Sequence, residues 1–292
     1  MPETARPQVT FVGSVHLDRM LRLAALPAPG ETVIAQEGWS QLGGKAANQA
    51  LAAAGTSQVG SILVACLGQD NDGRQAQQYL ETQGVTAALE WSALLPTGSS
   101  VALLDAAGEN VGVVSPGANA DLSAGAVLEA LRTAPDLLVC QWETSAGVLR
   151  EVLTAARTAG VPTLLNAAPW LDSHRDLVPL ADHVVVNAVE AQAWTGTDPQ
   201  TRPTHLDSGH SSVVVTLGAG GVLLYEQGEL TLDLPAPRVE ARSTHGAGDH
   251  FVGVLAARLA CGEGLTQALE HAVASAAQFV QQLHKHLLSS PA

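Results

Sequence analysis

Six short apolar runs constrain this chain more than any other feature of its sequence: VTFVGSV, SILVACLG, DLLVCQW, VPTLLNAAP, HVVVNA and SVVVTLG, each bounded by polar or turn residues. Their hydrophobicity is continuous rather than alternating, which is the pattern of strands in a parallel sheet covered on both faces. Between them, helical spacing of apolar residues predicts helices near 45–54, 72–83, 122–133, 146–158 and 190–195. Strand and helix in alternation give an α/β layered fold around a mostly parallel central sheet.

Two stretches break this rhythm, ETVIAQEGWSQ at 31–41 and SSVALLDAAGENVGVVS at 99–115. The second reads as two strands about a turn at 107–110, and both read as excursions into a small antiparallel sheet that covers a site or pairs with another subunit. No repeat, low-complexity tract or interdomain linker interrupts the chain, so 1–292 is expected to be one domain with this flap inserted.

Charge narrows the function. With 14 Lys and Arg against 28 Asp and Glu, the formal net charge of -14 repels phosphate backbones and anionic lipid surfaces, so neither a nucleic-acid nor a membrane partner is expected. Any anionic ligand needs local help. Cys66, Cys140 and Cys261 lack C-x-x-C spacing and read as buried thiols rather than as a disulfide or zinc framework. The N-terminal MPETARPQVTFVGSV has no basic start followed by a long apolar stretch, so a soluble cytoplasmic protein is expected.

The local help comes from STHGAGDHF, 243–251. Val239 to Thr244 reads as a short strand, while Phe251, Val252, Leu255 and Leu259 carry helical spacing to about Cys261, with Gly262 as the stop. Gly246, Ala247 and Gly248 therefore form a strand-to-helix turn, and its amides, at the positive end of the helix dipole, form an anion site suited to phosphate. Asp249 in that first turn is either a carboxylate complementing the dipole or a base held beside the anion.

A second glycine-rich stretch, GGKAANQA at 43–50, is not a P-loop. Ala46 follows Lys45 where Ser or Thr is required, and Trp39 stands where the first glycine belongs. FVGSVHLD also lacks the G-x-G-x-x-G turn of dinucleotide-binding folds, which makes a nicotinamide oxidoreductase the weaker enzyme reading.

Taken together, GGKAANQA and STHGAGDHF resemble the two signatures of the ribokinase (PfkB) family of carbohydrate and nucleoside kinases. Asp18 in GSVHLD, PGET at 29–32, GQDNDG at 68–73, GENV followed by PGANADLS, Glu143, NAAP at 166–169, NAVE at 187–190 and TLGAGG at 216–221 fall in that family's order, from Val9 to about Ala277. The resemblance implies a three-layer α/β sandwich with a small β-sheet lid, a homodimer formed through the lid, and ATP-dependent phosphorylation of a sugar hydroxyl. It makes Asp249 the base, with Gly246, Ala247, Gly248 and the Asp249 amide around the transferring phosphoryl group.

For the sugar, the resemblance implies His16, Asp18, Lys45, Asn48, Glu143 and Asp249, with Gly43 and Gly44 allowing close backbone approach. Lys45 also reads as a solvated lysine and Asn48 as a surface amide, whereas Asp18 and Glu143 are expected beside strand C-termini, where ligands bind in open α/β sheets. For ATP it implies Asn187, Thr216, Gly218, Gly221 and Gly248. Glu190 would act on magnesium through water, although N-x-x-E is also the pattern of a helix capping box.

Some positions depart from the family. His16 stands where an asparagine is usual, and imidazole does not present an amide's donor and acceptor. His245 and His250 bracket the phosphate turn and also read as ordinary polar histidines; His284 and His286, two apart on a helix, point away from each other. Ser243 opens the phosphate signature where an acidic potassium ligand is usual, and QQLHKHLLSSPA contains no late cation loop, so weak or absent potassium activation is expected. Ribose to ribose 5-phosphate is the expected reaction. Deoxyribose, another pentose or a nucleoside is the alternative substrate, and a non-catalytic sugar- or nucleotide-binding protein is the alternative class.

Overall fold

The computed structural model describes residues 6–105, 110–240 and 243–289. In chain order the strands are β1 (Gln8–Val12), β2 (His16–Arg22), β3 (Glu37–Gly43), β4 (Gly60–Gly68), β5 (Val85–Ser92), β6 (Gly98–Leu104), β7 (Asn110–Ser115), β8 (Leu137–Gln141), β9 (Thr163–Asn166), β10 (His183–Asn187), β11 (Ser212–Thr216), β12 (Val222–Glu226) and β13 (Glu229–Leu234). The α-helices are α1 (Lys45–Gly55), α2 (Asn71–Thr82), α3 (Ala124–Leu131), α4 (Ala146–Ala159), α5 (Ala188–Thr195), α6 (Ala247–Ala260) and α7 (Leu265–Ser289).

Nine strands form the central sheet in the order β13-β12-β11-β10-β9-β8-β1-β4-β5. Pairing is parallel from β11 through to β5, and β12 and β13 extend one edge antiparallel. Both faces are covered, as the continuous apolar runs require. Alternate residues of each strand separate cleanly: Phe11, Leu63 and Val139 pack with α1, α2, α6 and α7, whereas Val12, Val64 and Cys140 pack with α3, α4 and α5. The result is three layers.

After β1 the chain leaves this sheet for β2 and β3, and after β5 it leaves again for β6 and β7, building a second sheet in the order β3-β2-β6-β7. This lid is mixed rather than antiparallel, because β2 and β6 follow the parallel strands β1 and β5, leave the central sheet from the same C-terminal end, and lie side by side in parallel. β2 and β3, and β6 and β7, pair antiparallel. The expected turn at 107–110 falls largely outside the described residues.

Several local expectations need correction. Residues 31–36 are irregular and strand β3 begins only at Glu37; Val239, Glu240, Ser243 and Thr244 are irregular rather than strand, and 241–242 lie outside the described residues. The predicted helix at 122–133 is shorter, because Ser123 caps its start by accepting from the Ala126 amide. Cys66 and Cys140 are buried, but Cys261 is exposed, since it sits one residue past the last turn of α6. Among the described residues no helix is long and apolar enough to cross a membrane.

Candidate active site

Ligand sites in open α/β sheets lie beyond the strand C-termini where the strand order reverses. Here that point is β1, with β4 on one side and β8 on the other, and a cavity of about 310 Å³ opens there beneath the lid. Its walls contain His16, Asp18, Gly44, Lys45, Asn48, Glu143, Asn187, Glu190, Thr216, Gly246, Gly248 and Asp249, so the structure brings most of the sequence-predicted residues together. Gly43, Ala247, Gly218 and Gly221 are not in its walls.

The lid contributes one side. His16 and Asp18 are buried on the cavity face of β2, with Ser100 of β6 beside them, and the Ser100 hydroxyl donates to Asp18 Oδ1 at 2.5 Å. Asp18 thus belongs to a lid strand and not, as expected, to the C-terminal end of a core strand. Gly43 acts through it: a Cβ there would lie 1.9 Å from Asp18 Oδ2, so only glycine lets the carboxylate cross β3.

The core contributes the other side. Glu143 lies two residues past β8, where it accepts from the Ser14 hydroxyl and from the Lys45 backbone N–H (3.2 Å), and Ser14 Oγ accepts from the same N–H at 3.0 Å. Gly44, at φ 93°, lets the start of α1 approach this loop, since a Cβ would stand 2.6 Å from the Ser14 carbonyl. Lys45 and Asn48 then project from one face of α1, being three residues apart.

Helix α6 lies against α1 because both contact surfaces are small. Ala46, Ala47, Ala50 and Ala53 are buried along α1, and a Cβ on Gly253 of α6 would come within 2.2 Å of the Gln49 carbonyl. This close crossing puts Asp249 against α1. Its Oδ2 accepts from Asn48 Nδ2 (3.3 Å) and its Oδ1 from Gln49 Nε2 (3.0 Å).

The start of α6 differs from expectation in one detail. Gly246 adopts φ 75° as the N-cap, without a side-chain cap, but the Ala247 amide donates to the Thr244 carbonyl at 3.1 Å. That amide is therefore engaged in the turn. Gly248 and Asp249 occupy helix positions whose amides have no carbonyl four residues earlier within the helix.

Removal from water raises the Asp249 carboxyl above its ordinary range, while the Lys45 ammonium and the Gln49 and Asn48 amides pull it back. Burial alone would lower the Lys45 ammonium; Asp249, Glu143 and Glu190 together offset it, and Lys45 lies above its ordinary value. The cation is secured by three carboxylates.

Asn187 and Glu190 form the capping box of α5: Glu190 N–H donates to Asn187 Oδ1 (2.9 Å) and Asn187 N–H to Glu190 Oε2 (2.8 Å). Glu190 also faces the cavity, and burial raises its carboxyl. Gly218 and Gly221 shape the turn after β11, where a Cβ on Gly221 would lie 2.0 Å from the Leu234 carbonyl. His250 belongs to the α6–α7 packing, stacked on Phe279 at 4.5 Å with Nε2 2.9 Å from Ser275 Oγ, whereas His245 borders the cavity. Ser14, Gln49 and Asn166 were not singled out in the sequence. Gln49 had a signal, being four residues from Lys45 on the same face of α1.

The sequence pattern of the pfkB family carbohydrate kinase matches residues 6–289. The chain belongs to this family. Mouse (Mus musculus) ribokinase is 33% identical over 264 residues, covering 86% of this chain and 81% of that protein. Among solved structures, ribokinase from Thermotoga maritima superposes with a TM-score of 0.83 at 28% identity, covering 95% of this chain and 94% of that one. The structure of Arabidopsis thaliana ribokinase complexed with ribose and ATP gives a TM-score of 0.79 at 27% identity, covering 95% and 93%. As a pfkB-family member the chain is an ATP-dependent sugar kinase, and its two signatures are the segments that meet at Asn48 and Asp249.

Proposed function

We propose that the chain phosphorylates ribose to ribose 5-phosphate at the expense of ATP, within one kinase domain whose lid is inserted between core strands. The observation that carries this reading is the pairing of Asp249, at the open end of α6, with a sugar-sized polar cavity walled by Asp18, Asn48 and Glu143. The likeness to ribokinases, among them one complexed with ribose and ATP, supports the choice of sugar.

In this reading Asp18, Glu143 and Asn48 hold the sugar hydroxyls, with His16 over the lid side, and Asp249 accepts the proton of the reacting hydroxyl. The hydroxyl oxygen forms the new bond to the γ-phosphorus as the bond to the ADP oxygen breaks. Gly246, Gly248 and the Asp249 amide face the phosphoryl group with N–H dipoles, and Lys45 balances its charge. Asn187 and Thr216 line the ATP side. Glu190 is one cavity carboxylate, and among the described residues no cluster of three or more acidic, histidine or cysteine side chains could cage a metal. With magnesium carried on the ATP phosphates, Glu190 is the residue that would hold it, through water, and the ion would supply neutralisation of charge on the transferring group.

The outward face of the lid exposes Val101, Val111 and Val113, which supports a homodimer formed there, in the cytoplasm where ATP is available. The test of function is ADP release with ribose, deoxyribose, other pentoses and nucleosides. Ribose is expected to give the highest kcat/KM. A higher value for another substrate reassigns it, and no turnover with any of them favours a binding protein.

A further inference from the structure

Every inward position of α1 but one is small. Ala46, Ala47, Ala50 and Ala53 are buried, and so is Gln49, fully enclosed between α6 and the central sheet. A glutamine there must be desolvated and must satisfy an amide where an apolar side chain would simply pack. Its bonds explain the choice.

Gln49 Nε2 has two hydrogens and uses both, donating to Asp249 Oδ1 at 3.0 Å and to Asn166 Oδ1 at 3.0 Å. Its Oε1 accepts from Gln141 Nε2 at 2.6 Å, and Asn166 Nδ2 donates onward to the Val185 carbonyl at 3.1 Å. Gln141 ends β8, Asn166 ends β9 and Val185 lies in β10, three neighbouring strands of the parallel sheet. A continuous chain of amides therefore runs from three strands of the central sheet to one oxygen of the acidic residue on α6.

We propose that Gln49 is a positioning residue, holding Asp249 by Oδ1 so that Oδ2, on the Asn48 side that lines the cavity, is the oxygen that takes the sugar's proton. The inference rests on Asp249 being the base. Its direction follows from the donors: an amide N–H bonded to a carboxylate favours the ionised form, and Gln49 opposes the upward push that loss of water gives Asp249. The charged groups facing Asp249 are Lys45 from α1, Glu143 after β8 and Glu190 from α5, and the His245 side chain, in the turn before α6, lines the same cavity. None of these replaces the hydrogen bond to Oδ1.

The experiment measures kcat, sugar KM and the pH profile of kcat for Gln49→Met and Gln141→Leu, with Asp249→Asn as reference. Gln49→Met is expected to lower kcat by about tenfold or more, the effect of losing one hydrogen bond to a charged group. Sugar KM is expected to stay within about twofold of wild type, the range of a change that leaves ground-state binding intact. The acid limb of the profile is expected to move to higher pH, because Asp249 without its donor is harder to ionise. Gln141→Leu, which frees Gln49 to swing, is expected to move the limb the same way by less, and it carries the test if Gln49→Met does not fold. An unchanged acid limb in a folded variant, whether kcat is normal or uniformly reduced, overturns the positioning role. Normal turnover in Asp249→Asn would instead remove the base on which the inference rests.

Discussion

The two walls of the cavity are built from different material. The core wall is carried by helices and strand ends packed on both faces of a nine-stranded sheet, and its acidic residue is tied to three strands through buried amides. The lid wall is carried by four strands with one face outward, where Val113 is 68% exposed. Phosphoryl transfer needs close alignment, and the core wall supplies a frame packed on both faces and cross-linked by buried amides. Sugar capture needs polar groups facing the core across the cavity, and the lid wall supplies His16, Asp18 and Ser100. In the proposed reading the chemistry lies on the core wall and sugar recognition is shared, with Asp18 and His16 of the lid facing Glu143 and Asn48 of the core, and each assignment can be broken separately.

The largest expected effect is on the core side. Asp249→Asn should lower kcat by at least about 10²-fold, the lower range for a positioned general base, while sugar affinity by calorimetry stays close to wild type. Because removal from water holds the Asp249 carboxyl above its ordinary range, wild-type kcat should fall with acid at a higher pH than an exposed aspartate would give. The sign is fixed: protonation as pH drops removes the base. A kcat that stays level down to the ordinary aspartate range would contradict the assignment.

On the lid side the expected effect is smaller and falls on binding. Asp18→Ala removes a buried carboxylate proposed to hold the sugar hydroxyls, and losing a charge-assisted hydrogen bond of about 1.5 to 3 kcal/mol should weaken ribose binding roughly ten- to hundredfold. Turnover at saturating sugar should change less than in Asp249→Asn. Equal losses in kcat for the two variants would erase the distinction between the walls.

The core wall was also the more legible in sequence. Continuous apolar runs announce strands covered on both faces, and the phosphate turn is visible because glycines cluster where a helix begins. Lid strand β2 was missed, since HLDRMLR, with two arginines and an aspartate, lacks the composition of a core strand, and its pairing with β3 and β6 is set at long range. Asp18 was consequently singled out as a candidate, and it does line the cavity, but it was placed on the wrong element. β5 and β13, the two edge strands of the central sheet, escaped for a related reason, since polar residues are interleaved along them, whereas β12, the short apolar run VLLYE between β11 and β13, was passed over. Gln49 was passed over because its one local signal, its place four residues from Lys45 on α1, does not say what lies opposite it in the fold.

The smallest expected effect concerns the segment leading into α6. Ser243 offers a neutral hydroxyl, which already accepts from the His245 amide at 3.2 Å, where a carboxylate would attract a cation. Exchanging tetramethylammonium chloride for potassium chloride at matched ionic strength should raise the initial rate by less than about tenfold, that is, by less than about 1.4 kcal/mol of transition-state stabilisation. A larger rise that sodium does not reproduce would mean that a specific potassium site is built from other groups.

The most direct test of the account is to incubate the protein with ATP, magnesium and ribose and follow the products by phosphorus NMR. The account predicts a phosphomonoester at the ribose 5-position forming in step with ADP, and its loss in Asp249→Asn. ADP and free phosphate without a sugar ester, or an ester that forms equally well in Asp249→Asn, would contradict it.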